Sequence, residues 1–134
     1  MVIKNYSEKA SSKDFDRISS IKSRHQIKST GAFAQISSSG NNVRIISEGK
    51  SARISSAGFN ALIDSTGLYA VICCAGRFSH VKAKIGSWIT LTEWEYSEDS
   101  GAFVPTHTRT AQVDGKRIKE DVYYYLTDGD FMEV

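Results

Sequence analysis

Apolar and small side chains return every nine residues along most of this chain. Written in nines from Ala10, it reads ASSKDFDRI, SSIKSRHQI, KSTGAFAQI, SSSGNNVRI, ISEGKSARI, SSAGFNALI, DSTGLYAVI, CCAGRFSHV and KAKIGSWIT. The ninth column holds Ile18, Ile27, Ile36, Ile45, Ile54, Ile63, Ile72 and Val81, and lapses at Thr90. The second column is always small, from Ser11 through Cys74 to Ala83, and the seventh is mostly small from Ala34 onward. Columns seven, nine and the next two are separated by two residues, so in extended backbone they share one face. A helix would need apolar positions three and four apart, and this spacing excludes it.

Each unit is therefore expected to be a five-residue strand, such as 52–56 or 70–74, followed by a four-residue corner. The fourth column, Gly from Gly31 to Gly76, falls in that corner, and the expected reason is a positive φ, which glycine adopts without a Cβ clash. One nonapeptide cannot bury its Ile, but stacked coils pair backbone groups at about 4.8 Å and align like residues in ladders. The pattern predicts an all-β fold: a parallel β-solenoid, two repeats per coil, with a three-sided coil as the alternative. The first units are irregular. Lys13 and Lys22 replace glycine, and Asp16 and His25 enter the inward seventh column. Such an open first coil offers a route to a homodimer.

Gly86 is displaced by one place and Trp88 enters the small-residue column, so the core is expected to widen there and the repeat to end. Beyond it, "WITLTEWEY", "THTRTAQV", "VYYYL" and "FMEV" read as antiparallel strands, with Asp114–Gly115 and Asp128–Gly129 as hairpin turns. The expected organisation is one structural domain. Residues 1–92 form the solenoid, with nine repeats over 10–90, and residues 93–134 form a C-terminal antiparallel β-meander that caps it.

Charge divides along the same line. Residues 1–92 carry 13 Lys/Arg against 5 Asp/Glu, whereas 93–134 carry 4 against 10, although the whole chain is only +2. A basic solenoid with an acidic cap follows. No run of 18 apolar residues, export signal or lipidation motif occurs, so no membrane association and a cytoplasmic location are expected. Cys73 and Cys74 are adjacent, a spacing that disfavours a disulfide between them, and read as free thiols.

"KAKIGSWITLTEWE" and "AQVDGKRIKEDVYYYLTDGDFMEV", preceded by Gly-x-x-Ala-x-Ile nonapeptides, resemble a family of uncharacterised bacterial and phage proteins. In that family nonapeptide arrays end in a Gly-x-Trp strand and a Val-Asp-Gly hairpin tail. The resemblance covers residues 28–134. It implies the solenoid fold and a mobile-element origin, and it supplies no catalytic residues.

Repeated ligand chemistry does not fit the columns. Calcium rolls need an aspartate column, but the corners read Gly-Asn-Asn, Gly-Lys-Ser, Gly-Phe-Asn, Gly-Leu-Tyr and Gly-Arg-Phe. An ice-binding face needs a uniform hydroxyl rank, but the outward eighth column mixes Arg17, Gln26, Gln35, Arg44, Arg53, Leu62, Val71, His80 and Ile89. Polysaccharide cleavage needs paired carboxylates. Asp64 is the one solenoid candidate, and across the strands it faces Lys82, with His80 diagonal, as a cross-strand ion pair. No catalytic residue, metal site or cofactor is expected, and the protein reads as a non-enzyme.

What varies is the outer surface. On one sheet Arg17, Gln35 and Arg53 give way to Val71, Cys73, Ile89 and Leu91, an apolar end expected to lie beneath the cap. Phe33, Phe59, Leu68, Tyr69 and Phe78 fall at corners, where they either anchor an interface or fold back to plug the core. The favoured expectation is a protein-binding module presenting Arg44, Arg53, Phe59, Leu62, Phe78 and His80. For a phage or prophage product, the partner expected is a host protein complex such as a bacterial defence system, bound and inhibited. The alternative is nucleic-acid binding through Arg17, Arg44, Arg53, Arg77, Lys82 and Lys84.

Overall fold

The computed structural model describes residues 7–134, and the part of the 1–92 assignment that covers residues 1–6 lies outside them. The described chain is all-β. One sheet contains β1 (Ser7–Ser11), β3 (His25–Ser29), β5 (Arg44–Ser47), β7 (Leu62–Ser65) and β9 (His80–Lys82). The other contains β2 (Arg17–Ser20), β4 (Gln35–Ser38), β6 (Arg53–Ser56) and β8 (Val71–Cys74), continued by β10 (Trp88–Ser97) and β11 (Ala102–Gln112). Each strand pairs in parallel with the strand two units later, and Ile27, Ile45 and Ile63 are in register, as are Ile18, Ile36, Ile54 and Ile72. A coil is thus two nonapeptides and two strands, and a three-sided coil is excluded. The solenoid starts one strand earlier than the written repeat, because β1 pairs with β3 from Ser7 onward.

Alternation does the packing. Residues along β4, β6 and β8 are exposed, buried, exposed, buried, and the ninth-column Ile or Val of both sheets meets in one narrow core with Ala34, Ala52 and Ala70. A fully buried Ile contributes about 1.5–3 kcal/mol relative to exposure. The corners are also bonded from coil to coil: Phe33 N–H donates to the Lys50 carbonyl and Ser51 N–H to the Leu68 carbonyl, at 2.8 and 2.7 Å. Backbone pairing therefore runs around the whole coil.

The glycines are at the corners, but not for the reason expected. None of the fourth-column glycines has positive φ; the left-handed position is column six, occupied by Phe15, Arg24, Phe33, Asn42, Ser51, Asn60, Tyr69 and Phe78 at φ 56–60°. The fourth column needs glycine because the coils touch there. A Cβ at Gly31, Gly40, Gly49, Gly58, Gly67 or Gly76 would lie 1.8–2.0 Å from a carbonyl oxygen of the coil before. Lys13 and Lys22 supply two of those carbonyls, and no described coil stacks beneath them.

The repeat does not lapse at Thr90. Its last unit is one residue short, so Trp88 pairs with Val71 and Ile89 with Ile72. Ile89 and Leu91 point inward and are buried, whereas Trp88 is exposed on the outer face, which corrects both the widened core and the apolar outer rank. Gly86, at φ +94°, takes the shortened corner. Ser87 enters the small column, and its Oγ accepts the Ala70 N–H at 3.0 Å. Val71 and Cys73 are also exposed rather than covered by the cap.

The C-terminal region closes the stack, divided between the two sheets. The expected boundary at residue 93 falls inside β10, which forms an antiparallel hairpin with β11. Asp114–Gly115 is not a hairpin turn. Asp114 Oδ1 accepts the N–H groups of Lys116 and Ile118, and Gly115 N–H donates to the Ile118 carbonyl, so the turn closes on itself. The chain then crosses the solenoid end, burying Val113 and Ile118. It rejoins the first sheet as β12 (Tyr124–Thr127), antiparallel to β9, and Asp128–Gly129 leads into the edge strand β13 (Asp130–Glu133).

Candidate functional site

The two edges of the solenoid carry different side chains. Where β2, β4, β6 and β8 turn towards the first sheet, column five reads Ser23, Asn41, Phe59 and Arg77, and column six reads Arg24, Asn42, Asn60 and Phe78. The lower coils use polar caps. Ser23 Oγ accepts Asn41 N–H, Asn41 Oδ1 accepts Phe59 N–H, and Asn60 Nδ2 donates to Asn42 Oδ1, all at 3.0–3.1 Å.

The upper coils turn aromatic and cationic. Beyond an irregularity between Glu93 and Trp94, the β10–β11 hairpin brings Tyr96 and Phe103 onto this edge. Arg77 Cζ lies 3.8 Å from the Phe103 ring centre, 5.0 Å from Phe59 and 5.8 Å from Phe78. Phe103 in turn meets Tyr96 and Phe78 edge-on, at 5.6 and 6.5 Å. The rings hold the guanidinium by its faces, where a planar delocalised cation is attracted to the aromatic quadrupole. Arg77 Nε is buried without a hydrogen-bond partner, and the guanidinium forms no ion pair among the described residues. Phe78 and Tyr96 remain about 60% exposed, so the cluster is an outward platform and does not plug the core.

The platform borders a cleft of about 260 Å³ lined by His80, Glu93, Tyr125 and Thr127 among others. Tyr125 meets the His80 ring edge-on at 5.6 Å, and burial lowers the pKa of His80 below the ordinary imidazole value. Glu93 and His107 resemble an acid–base pair, with His107 Nδ1 2.8 Å from Glu93 Oε1. The carboxylate is nevertheless committed to structure. Its Oε2 accepts Asp128 N–H and its Oε1 accepts Gly129 N–H, which latches the β12–β13 turn to β10. Burial pushes its pKa up, but those N–H groups and His107 outweigh burial and hold it below the ordinary carboxylate value.

Of the residues singled out for protein binding, five come together. Phe59 and Phe78 sit on this edge, and Arg44, Leu62 and His80 are successive rungs on the adjoining outer face of the first sheet. Arg53 lies on the opposite sheet. Tyr96 and Phe103 were not anticipated, since only the length and fold-back of the hairpin place them, and Arg77 was anticipated solely as a phosphate contact. The six cations proposed for nucleic acid do not form one surface. Arg17 and Arg53 are on one sheet, Arg44 and Lys82 on the other, and Arg77 on an edge. Lys82 is paired with Asp64 at 3.5 Å, as expected, and Lys84 with Asp121 and Glu120 at 2.8 and 3.8 Å.

Both thiols are free, and Cys74 is pushed up to about 12 by burial and by Cys73 beside it. No three His, Cys, Asp or Glu side chains are grouped to hold a metal among the described residues, and no described helix is long and apolar enough to cross a membrane. Comparisons with protein-family models, curated proteins and solved structures found no match for this chain.

Proposed function

We propose that this protein is a non-enzymatic protein-binding module, a stiff solenoid that presents the Arg77–Phe59–Phe78–Phe103–Tyr96 platform to a partner. The observation that carries the reading is a guanidinium held between rings, with buried Nε unpaired, on an exposed edge. Arg, Tyr and Trp dominate binding energy at protein interfaces: the aromatics bury large area with few lost rotamers, and the planar guanidinium adds stacking and several directed hydrogen bonds. A carboxylate from the partner would complete the guanidinium, and Leu62 and His80 extend the surface onto the first sheet. The tail's resemblance to phage and prophage proteins makes a host complex, such as a defence complex to be bound and inhibited, the class of partner to seek. Location in the host cytoplasm accords with that reading.

The test is affinity capture from host lysate with the intact chain, Arg77→Ala and Arg17→Ala in parallel, each checked for an unchanged melting temperature. A stoichiometric complex held by the intact chain and Arg17→Ala but lost with Arg77→Ala supports the platform. Equal recovery by all three would remove it.

A further inference from the structure

The opposite edge, where the first sheet turns towards the second, carries an aromatic ladder with one rung missing. Its sixth-column residues are Phe15, Phe33, Ser51, Tyr69 and, in the shortened last corner, Gly86. Phe15 and Phe33 stack with ring centres 4.9 Å apart and planes within 6°. Tyr69 packs against the vacant rung above it, since a Cβ on Gly86 would come within 3.1 Å of the Tyr69 ring. Phe33 and Tyr69 are two coil steps apart, and the sixth-column side chain between them is only the Ser51 hydroxymethyl group. At about the ladder spacing per coil, that interval leaves the height of one further ring. A notch of about 310 Å³ opens there, walled by Phe33, Ser51, Tyr69, Arg53 and Val71.

The notch is cationic at its rim. Lys50 Nζ lies 5.6 Å from the Phe33 ring centre, and neither Lys50 nor Arg53 is ion-paired among the described residues. Of the acidic side chains on this edge, Glu48, in the same corner as Lys50, is paired with Lys28 at 3.7 Å, and Asp14 and Asp16 are occupied in the first coil, by Ala32 N–H and by Ser11 and Arg17 N–H respectively. Gln35, Arg53 and Val71 also line a shallow groove of about 560 Å³ across the second sheet, whose floor carries the hydroxyls of Ser19, Ser37 and Ser55. A ring-sized slot, two free cations beside it and a run of hydroxyls leading away match a base, its phosphate and its sugar.

We propose that the Ser51 notch is a stacking site for the base of a nucleotide, with its phosphate at Arg53 and Lys50. The site shares no residue with the Arg77 platform, so either can fail without the other. It also differs from a general basic surface, because the ring slot provides the contact and only one pair of cations is engaged. The same chemistry is offered by a free nucleotide and by an unpaired nucleotide within a single strand.

The test is a two-dimensional amide NMR titration of the full chain at low salt with AMP and, separately, with a six-residue deoxyadenylate strand. Shifts confined to Phe33, Ser51 to Arg53 and Tyr69 are expected. Ser51→Phe should weaken binding about tenfold or more by filling the slot. That substitution suits the backbone, since Ser51 has φ 58° and Phe33, in the same column, also has φ 58°. If its melting temperature falls, Tyr69→Ser and Arg53→Gln, which remove one wall and one cation, serve instead. Binding of AMP identifies a free nucleotide, and binding of the strand alone identifies an unpaired base. No shift with either probe, binding unchanged in the variants, or larger shifts at the notch with an Asp-Trp-Asp peptide than with AMP would overturn the proposal.

Discussion

The carbonyl oxygen of Gly31 lies 1.8 Å from the point that a β-carbon on Gly49 would occupy. Both atoms belong to backbone held by the ladders on either side, so neither can yield without opening the stack. Gly49→Ala is therefore expected to cost at least about 3 kcal/mol, the upper end of overpacking, read as a lower midpoint in urea. Gly101 makes the control. It has φ +67° with nothing within 4 Å of an added Cβ, so Gly101→Ala should cost only the left-handed backbone penalty, about 1–2 kcal/mol.

That contact also marks where sequence reasoning stops. The nine-residue period and the Ile column specify coil, register and inward face, because a two-residue side-chain alternation leaves few ways to bury Ile18 through Ile72. The cause of the glycine column was hidden, since close approach between coils and positive φ select the same residue. The positive φ fell instead on Phe33, Ser51 and Tyr69, types that give no local sign of it. A single-residue deletion before Ile89 turned the outer rank inside out, although restoring the Ile column by one place would have shown it. The Arg77 platform was illegible for a different reason. Tyr96 and Phe103 reach it through the hairpin bend near Trp94, a tertiary contact that no repeat position encodes.

Ser47 offers a stabilising change. Its hydroxyl is buried with no hydrogen-bond partner, as are those of Ser29 and Ser65 in the same ladder. An unsatisfied buried hydroxyl costs about 1–3 kcal/mol of desolvation, and the ladder already accepts a methyl group at Ala83, which is also buried. Ser47→Ala should raise stability by about 1 kcal/mol, seen as a higher melting temperature. A decrease would mean that the hydroxyl is paired in solution.

The first coil should be sensitive to acid through His25. This imidazole fills an inward position that Ala34, Ala52 and Ala70 occupy elsewhere; it is almost fully buried, with Nδ1 against Ser7 Oγ. Burial, then the nearby Lys22 and Lys9, lower its pKa, while the Ser7 contact opposes the shift. The folded chain therefore binds this proton less readily than the unfolded chain does. The contribution is complete above the ordinary histidine value, near pH 6.5, and is lost as pH falls from there through the lowered folded value. Fraying of β1 and β2 as pH falls below about 6.5, followed by amide exchange, should disappear in His25→Ala. Persistence of the same fraying in that variant would assign it to other groups.

At the far end the acid response has a different origin and a lower range. Glu93 accepts Asp128 N–H and Gly129 N–H while contacting His107, so one carboxylate fixes the turn that holds β13 at the sheet edge. Its pKa lies below the ordinary value because those contacts favour the ionised form by more than burial opposes it. The latch should be intact above the ordinary glutamate value, near pH 4.5, and open as pH falls through the lowered folded value. Glu93→Ala should open it at neutral pH, with faster amide exchange at Asp128 and Gly129 while the Ile45 and Ile63 ladder stays protected. Both acid responses act on a strand at one end of the stack, so mild acid should peel the solenoid from its ends before its middle. Simultaneous loss of protection at Ile45, His25 and Gly129 would instead indicate that the coils unfold as one unit.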